Sequence, residues 1–413
     1  MTSVPNRLQP LSGNRWLFFI IALILGACSP KLRPVSAPVK TKTEQPVVKV
    51  APPPAKPPAP KVSVISLLLP FGLDHIGPGS SYTAISLKKA RIAADYYRGF
   101  KLALDSLTFY GYNYKLLVID SRDSPAQAHS LAYSQQIRTS DLIVGPIFPD
   151  DMKAFAAVLT SARKPIVSPL SPEPPSTFKN QNLVVVNPPL EYHAWRTAQY
   201  INDRIKPQKV FILQSGYSAD NNYIIPFKKA IDSLSGRHIK IVTITIVRGQ
   251  LNPLIAQLSK TKQNVFVVPS TDEAFLGVTL HSLDTLAKTY PVTLFGHPSW
   301  AHYSFLNIQR LQRLKTHITS ADNVDYKSAR TATFIRNYRN TWHTDPTAYA
   351  VKGFDEGLYF GQLLGTDGLK NITQKDFTGL HNNFHFEKKT GMGWVNTHVS
   401  LLLYSNFELK EVE

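Results

Sequence analysis

From residue 62 onward the sequence predicts an α/β protein of two lobes, each a parallel sheet flanked by helices. Three observations carry that expectation. Short β-rich apolar runs alternate with longer amphipathic stretches, the rhythm restarts near residue 183, and a long pair of helical segments precedes the closing strand-like stretches. A βαβα order calls for parallel strands with helices on both faces. Two consecutive units of similar size call for two lobes rather than one oversized sheet.

Residues 62–69 are the first expected strand. Residues 90–107, ARIAADYYRGFKLALDSL, place apolar side chains near every third or fourth position, the helical period. The next expected elements are a strand at 114–120, a helix at 124–137, a strand at 141–144, a helix at 149–163 and a strand at 165–168. In the second unit, strands are expected at 183–186, 210–213, 239–247, 265–268 and 292–295. Helices over 189–205, 223–234, 251–260 and 273–287 separate them. The helix pair spans roughly 329–342 and 347–365, and NNFHFEKKTGMGW and NTHVSLLLYSN close the chain as strands.

The N-terminus sets the compartment. Arg7 and Arg15 precede the apolar run 16–25 and the small pair Gly26-Ala27, the pattern of a secretory signal too short to span a bilayer. Leu25-Gly26-Ala27-Cys28 resembles the bacterial lipobox, in which Cys28 becomes the mature N-terminus and carries diacylglycerol; a free thiol in an ordinary signal peptide is the other reading. Cys28 is the chain's only cysteine, so no intrachain disulfide can form and stability must come from the core. Ser29 follows it where an inner-membrane retention signal would place Asp. The lipoprotein resemblance therefore implies the outer membrane, and the lack of an acidic cluster after Cys28 implies its periplasmic face.

Residues 28–61 read as a Pro/Lys-rich tether. Between 30 and 61 lie seven Lys and Arg, one acid (Glu44) and no aromatic residue, a composition that favours extended polyproline II over a packed core. A cationic tether suits anionic lipid or peptidoglycan, or it is simply a solvated spacer. The chain's formal charge of +18 is spread along its length, and no recognition helix or RNA-binding motif accompanies it, which sets nucleic acid aside.

Four stretches carry a family resemblance. YYRGFKLALDSL, DLIVGPIFPDDMKAFAAVLTSARKPIVSPLSP, DPTAYAVKGFDEGLYFGQLL and FTGLHNNFHFEKKTGM occur in the order of the type I periplasmic binding proteins, the leucine/isoleucine/valine receptor group. The resemblance covers 62 to about 410. It implies the two-lobed, Venus-flytrap fold with discontinuous lobes, one of about 62–187 plus 320–390 and the other of about 188–319 plus 391–410. Receptors of this family hold amino acids with hydroxyls after the third and fourth strands and with an aromatic and a carboxylate from the second lobe. Here the fourth-strand loop offers Ser168 and Ser171, with Pro172 where Thr is usual. The second-lobe carboxylate position falls near Pro298, and Asp272 or Glu273 is the substitute unless it caps a helix. Tyr217 and Trp300, on strand-end loops, are the candidate stacking aromatics, or else lobe-packing residues. Arg122 grips an acidic ligand or pairs with Asp123.

The expected function is non-enzymatic: closure of two lobes on a small amino-acid-like or peptide-like solute, with the membrane met through a lipid anchor at Cys28. The alternative is a protein-interaction module in envelope or peptidoglycan assembly with a vestigial cleft, similar to the lipoprotein activators of penicillin-binding peptidoglycan synthases. Peptidoglycan or an envelope protein would then be the partner. No cofactor is expected, since no nucleophile elbow, Walker loop or dinucleotide fingerprint occurs. No metal site is expected either. His381 and His385 have the spacing of a helical metal pair but sit in loop and strand sequence, and His297 and His302 lack a nearby acid.

Overall fold

The computed structural model describes residues 61–412 apart from 162 and 367. The expected signal segment, Cys28 and the tether through residue 60 lie outside them. Strand β1 (Ser63–Leu69) is buried almost throughout, as a near-continuous apolar run in a parallel sheet should be. It pairs in parallel with β2 (Tyr114–Asp120) and β3 (Leu142–Val144), and β4 (Ile166–Ser168) and β5 (Leu183–Val185) extend the sheet. A second sheet repeats the plan with β6 (Lys209–Gln214), β7 (Lys240–Thr245), β8 (Asn264–Val268), β9 (Val292–Gly296) and β10 (His317–Ser320). β11 (Phe377–Thr378) and β12 (Asn383–Phe384) form a small ribbon. β13 (Phe386–Lys388) and β14 (Trp394–Asn396) return to the first sheet, and β15 (Ser400–Ser405) and β16 (Glu408–Glu411) to the second.

The strand orders are β13-β14-β5-β4-β3-β1-β2 and β16-β15-β10-β9-β8-β6-β7. Both sheets are therefore parallel except at their C-terminal edges, where β13, β15 and β16 pair antiparallel. The chain crosses between sheets after β5, after β10 and after β14. The last crossing falls between Asn396 and Ser400, so residues 391–396 belong with the first sheet, not the second lobe.

The main helices are α1 (Ala84–Phe109), α2 (Pro125–Leu131), α3 (Pro149–Val158), α4 (Leu190–Tyr200), α5 (Asn221–Ser235), α6 (Glu273–Leu286), α7 (Ala329–Trp342) and α8 (Ala348–Gly365). Several helix boundaries differ from expectation, three of them for identifiable local reasons. α1 starts at residue 84 rather than 90 because the Thr83 hydroxyl accepts the Ser86 amide and nucleates an extra, largely exposed turn. The helix expected over 124–137 breaks into α2 and a short turn at 135–139, restarted by the Ser134 cap. The helix expected over 251–260 stops at Ile255, because the Asn264 side chain ties both the amide and the carbonyl of Ser259 into a loop. No helix among the described residues is long and apolar enough to cross a membrane.

The first lobe is held by α1 against α8. At this crossing a Cβ on Gly99 would lie 1.9 Å from the Ala350 carbonyl oxygen, and one on Gly353 would lie 2.2 Å from that of Tyr96. Glycine lets the two backbones touch. The phenol of Tyr96 then donates to Glu356 Oε2 at 2.8 Å, joining the helices across a buried face where desolvation raises the Glu356 pKa well above its ordinary value.

Candidate functional site

In open parallel sheets the ligand crevice lies beyond the carboxyl ends of the strands. Here the loops after β4 and β5 bring Pro172, Asn187 and Pro188 from the first lobe to face Pro298 and Ser299 after β9 and Ser320 at the end of β10. They enclose a cavity of about 200 Å³, contiguous through Pro172, Pro188, His193, Pro298 and Ser299 with an outer space of about 850 Å³. The many prolines lock φ and hold the lips of this cleft stiff.

At the inner end Lys352, nearly buried on α8, pairs with Asp322 at 2.9 Å. Asp322 sits on the crossover after β10, so the pair fastens that crossover to the first lobe. The Ser320 hydroxyl accepts the Asp322 amide at 3.0 Å and shapes the turn. His193 of α4 and Thr319 of β10 share a hydrogen bond of 2.9 Å between Nδ1 and Oγ1. Burial, and then the neighbouring His297, lowers the His193 pKa to about 3. Burial lowers His297 to about 4. The Ser299 amide donates to His297 Nδ1 at 3.2 Å, so that neutral ring carries its proton on Nε2. The cleft therefore offers uncharged imidazoles, an amide and hydroxyls around one lysine–aspartate pair. Such a lining suits a polar or zwitterionic solute.

The residues singled out from sequence do not converge on this cavity. Trp300 is 1% exposed and packs its indole over Gly296, with Nε1 donating to the Ser270 carbonyl at 3.0 Å. It is a core residue of the second lobe, and its ring offers no stacking face. Asp272 caps α6 by accepting the Phe275 amide at 2.7 Å. Ser171 accepts the Glu173 amide at 3.3 Å within its own turn, whereas the Ser168 hydroxyl is buried without a hydrogen-bond partner. Arg122 adopts a left-handed backbone with its amide on Asp120 Oδ1 at 2.9 Å, and Asp123 pairs with Lys89 rather than with Arg122. Tyr217 is 62% exposed on the loop after β6 and lines none of the cavities described. His381 donates into Asp355 and His385 faces Asp376, so the two histidines have separate partners.

Sequence reading missed Asn187, His193, Asp322 and Lys352. One signal was present: Lys352, Asp355 and Glu356 interrupt an α8 that is otherwise apolar on nearly every side, and charges in such a helix must be paired. His193 carried no comparable mark.

Residues 76–398 match the periplasmic binding protein family, and the chain belongs to it. Membership implies a periplasmic location. Among solved structures, the chain resembles an ABC transporter substrate-binding protein from Desulfitobacterium hafniense at 15% identity, with 85% of this chain and 100% of that one covered and a TM-score of 0.57. The structure of a protein of that description and organism in complex with Leu matches with a TM-score of 0.55 at 15% identity over the same shares. An ABC transporter substrate-binding protein from Sphaerobacter thermophilus matches over 83% of this chain and 93% of its own, at 15% identity and a TM-score of 0.51. At these identities the likeness is one of fold: two lobes of mixed, mainly parallel sheet. No curated protein matches the sequence.

Proposed function

We propose that the protein is a non-enzymatic solute receptor that closes its two lobes on an amino-acid-like or peptide-like ligand. The observation that supports this most is the cleft itself. It is open, it takes polar groups from both lobes, and the pair of a buried lysine with a half-buried aspartate ends it. A vestigial cleft would be filled by its own side chains. The departures around Ser171, Pro172 and Pro298 argue for a ligand held differently from a free α-amino acid, with Lys352 and the His193–His297 pair as the contact groups.

A thermal-shift panel of amino acids, short peptides, muropeptides and sugars tests this reading. A ligand at a hundredfold its dissociation constant should stabilise by about 2.7 kcal/mol. Lys352→Met and Ser299→Trp should abolish the shift. If no compound moves the melt, the receptor reading falls and the interaction module becomes the better one. That second reading has an observation of its own: Phe109 and Tyr110 at the end of α1 are 86% and 77% exposed.

The anchor belongs to the same proposal. A diacylglycerol on Cys28 would hold the receptor on the outer membrane, facing the periplasm, at the end of the cationic tether. Radiolabelled palmitate should enter the wild-type chain and not the Cys28→Ser variant. Equal labelling of both would remove the anchor.

A further inference from the structure

A second groove lies beyond the ridge of Glu191, Pro226 and Lys229 that borders the cleft. Its volume of about 710 Å³ falls in the range of small-molecule sites, about 300–1,000 Å³. One wall is a face of α4 and the adjoining part of α5, both in the second lobe. The other is β13 and its flanks in the first lobe, where His385, Glu387 and Lys389 alternate toward the groove. The two walls touch at one rim, where Lys389 Nζ lies 2.8 Å from Glu191 Oε1 and 5.0 Å above the Tyr192 ring.

Three features of the lining call for a ligand. Trp195 is 42% exposed, and its indole stacks on no other ring among the described residues. Glu387, on the first-lobe wall, is exposed and has no ion-pair or hydrogen-bond partner among the described residues. Lys229, on the ridge of the second lobe, is likewise exposed and unpaired. A partly exposed aromatic face, a carboxylate on the first-lobe wall and an ammonium on the second-lobe ridge thus line one groove.

We infer that this groove is a second binding site, for a short linear peptide with free termini and an apolar side chain. Its ammonium meets Glu387, its carboxylate meets Lys229, and its side chain lies on Trp195. Charge-assisted hydrogen bonds at both ends supply orientation, and the indole supplies apolar area. Because the two charges belong to different lobes, a peptide held by both biases the angle between the lobes. It therefore couples to whatever the cleft binds, and the coupling is reciprocal.

Isothermal titration of the full chain with Ala-Phe-Ala tests the inference, with the N-acetylated, C-amidated tripeptide as comparison. Free Ala-Phe-Ala should bind, and capping should weaken it at least about tenfold, the scale of one lost charge-assisted bond. Trp195→Ala and Glu387→Gln should each cause a similar loss. Both are surface changes, and an unchanged melting temperature shows that the fold is intact. Lys352→Met should leave this binding in place. The inference is overturned if millimolar peptide gives no heat, if the capped peptide binds as well, or if the Trp195 and Glu387 variants bind like wild type. Binding lost in Lys352→Met alone would place the peptide in the cleft, which sinks this inference while supporting the receptor reading.

Discussion

His193 and His317 are buried and His297 is half-buried, and desolvation holds each neutral, with pKa values lowered from 6.5 to about 3, 4 and 4 for His193, His297 and His317. Their contribution to stability is full above the ordinary histidine value of 6.5 and is lost as pH falls toward the folded values. In that window an unfolded imidazole takes up a proton that the folded one refuses. Each group removes up to about 1.4 kcal/mol per pH unit. The melting temperature should therefore drop steeply between pH 6.5 and 4, and His193→Gln should make that slope shallower. A variant slope equal to wild type would mean that His193 is not kept neutral. No sequence signal marked His193, because its burial and its Thr319 partner depend on two elements 126 residues apart. Trp300 misled for the related reason that a strand-end aromatic can turn inward wherever a glycine such as Gly296 leaves room beneath it.

At the scale of elements, much was legible. β2 and α7 lie where the sequence pattern puts them: β2 is a short apolar-rich run, and α7 buries one face through Thr331, Phe334 and Tyr338, so both patterns are written locally. Boundaries set by a side chain reaching to a backbone group, such as Thr83 on Ser86 or Asn264 on Ser259, were not. The α1–α8 crossing gives a sharp prediction. Gly353→Ala forces a methyl to within 2.2 Å of the Tyr96 carbonyl oxygen, so the helices must separate. The cost should be about 1–3 kcal/mol or more by chemical denaturation, against well under 1 kcal/mol for the exposed change Ser130→Ala. An unchanged denaturation midpoint for Gly353→Ala would mean that the helices do not approach this closely.

For the molecule as a whole, three crossovers between two sheets form the hinge on which closure would turn. The Glu191–Lys389 pair spans the lobes, but its side chains are 44% and 43% exposed, so it contributes no more than about 1 kcal/mol and gives way easily. Small-angle scattering of the purified protein should show the radius of gyration fall when a solute that raises the melt is added. In Lys352→Met it should not change. A radius unaffected by a stabilising solute would leave binding intact but remove lobe closure from the mechanism.

What the sequence by itself determined was the alternation of strands and helices, the restart that makes two lobes, and the family whose motifs lie in the first of them. Those properties are encoded in local period and in turn chemistry. Only the tertiary structure decided the chemistry of the cleft. Lys352 meets Asp322 across a chain reversal, His193 meets Thr319 between separate elements, and Trp300 is consumed by its own lobe. Contacts between residues far apart in the chain depend on how helices pack on sheets, and no window of sequence contains that packing.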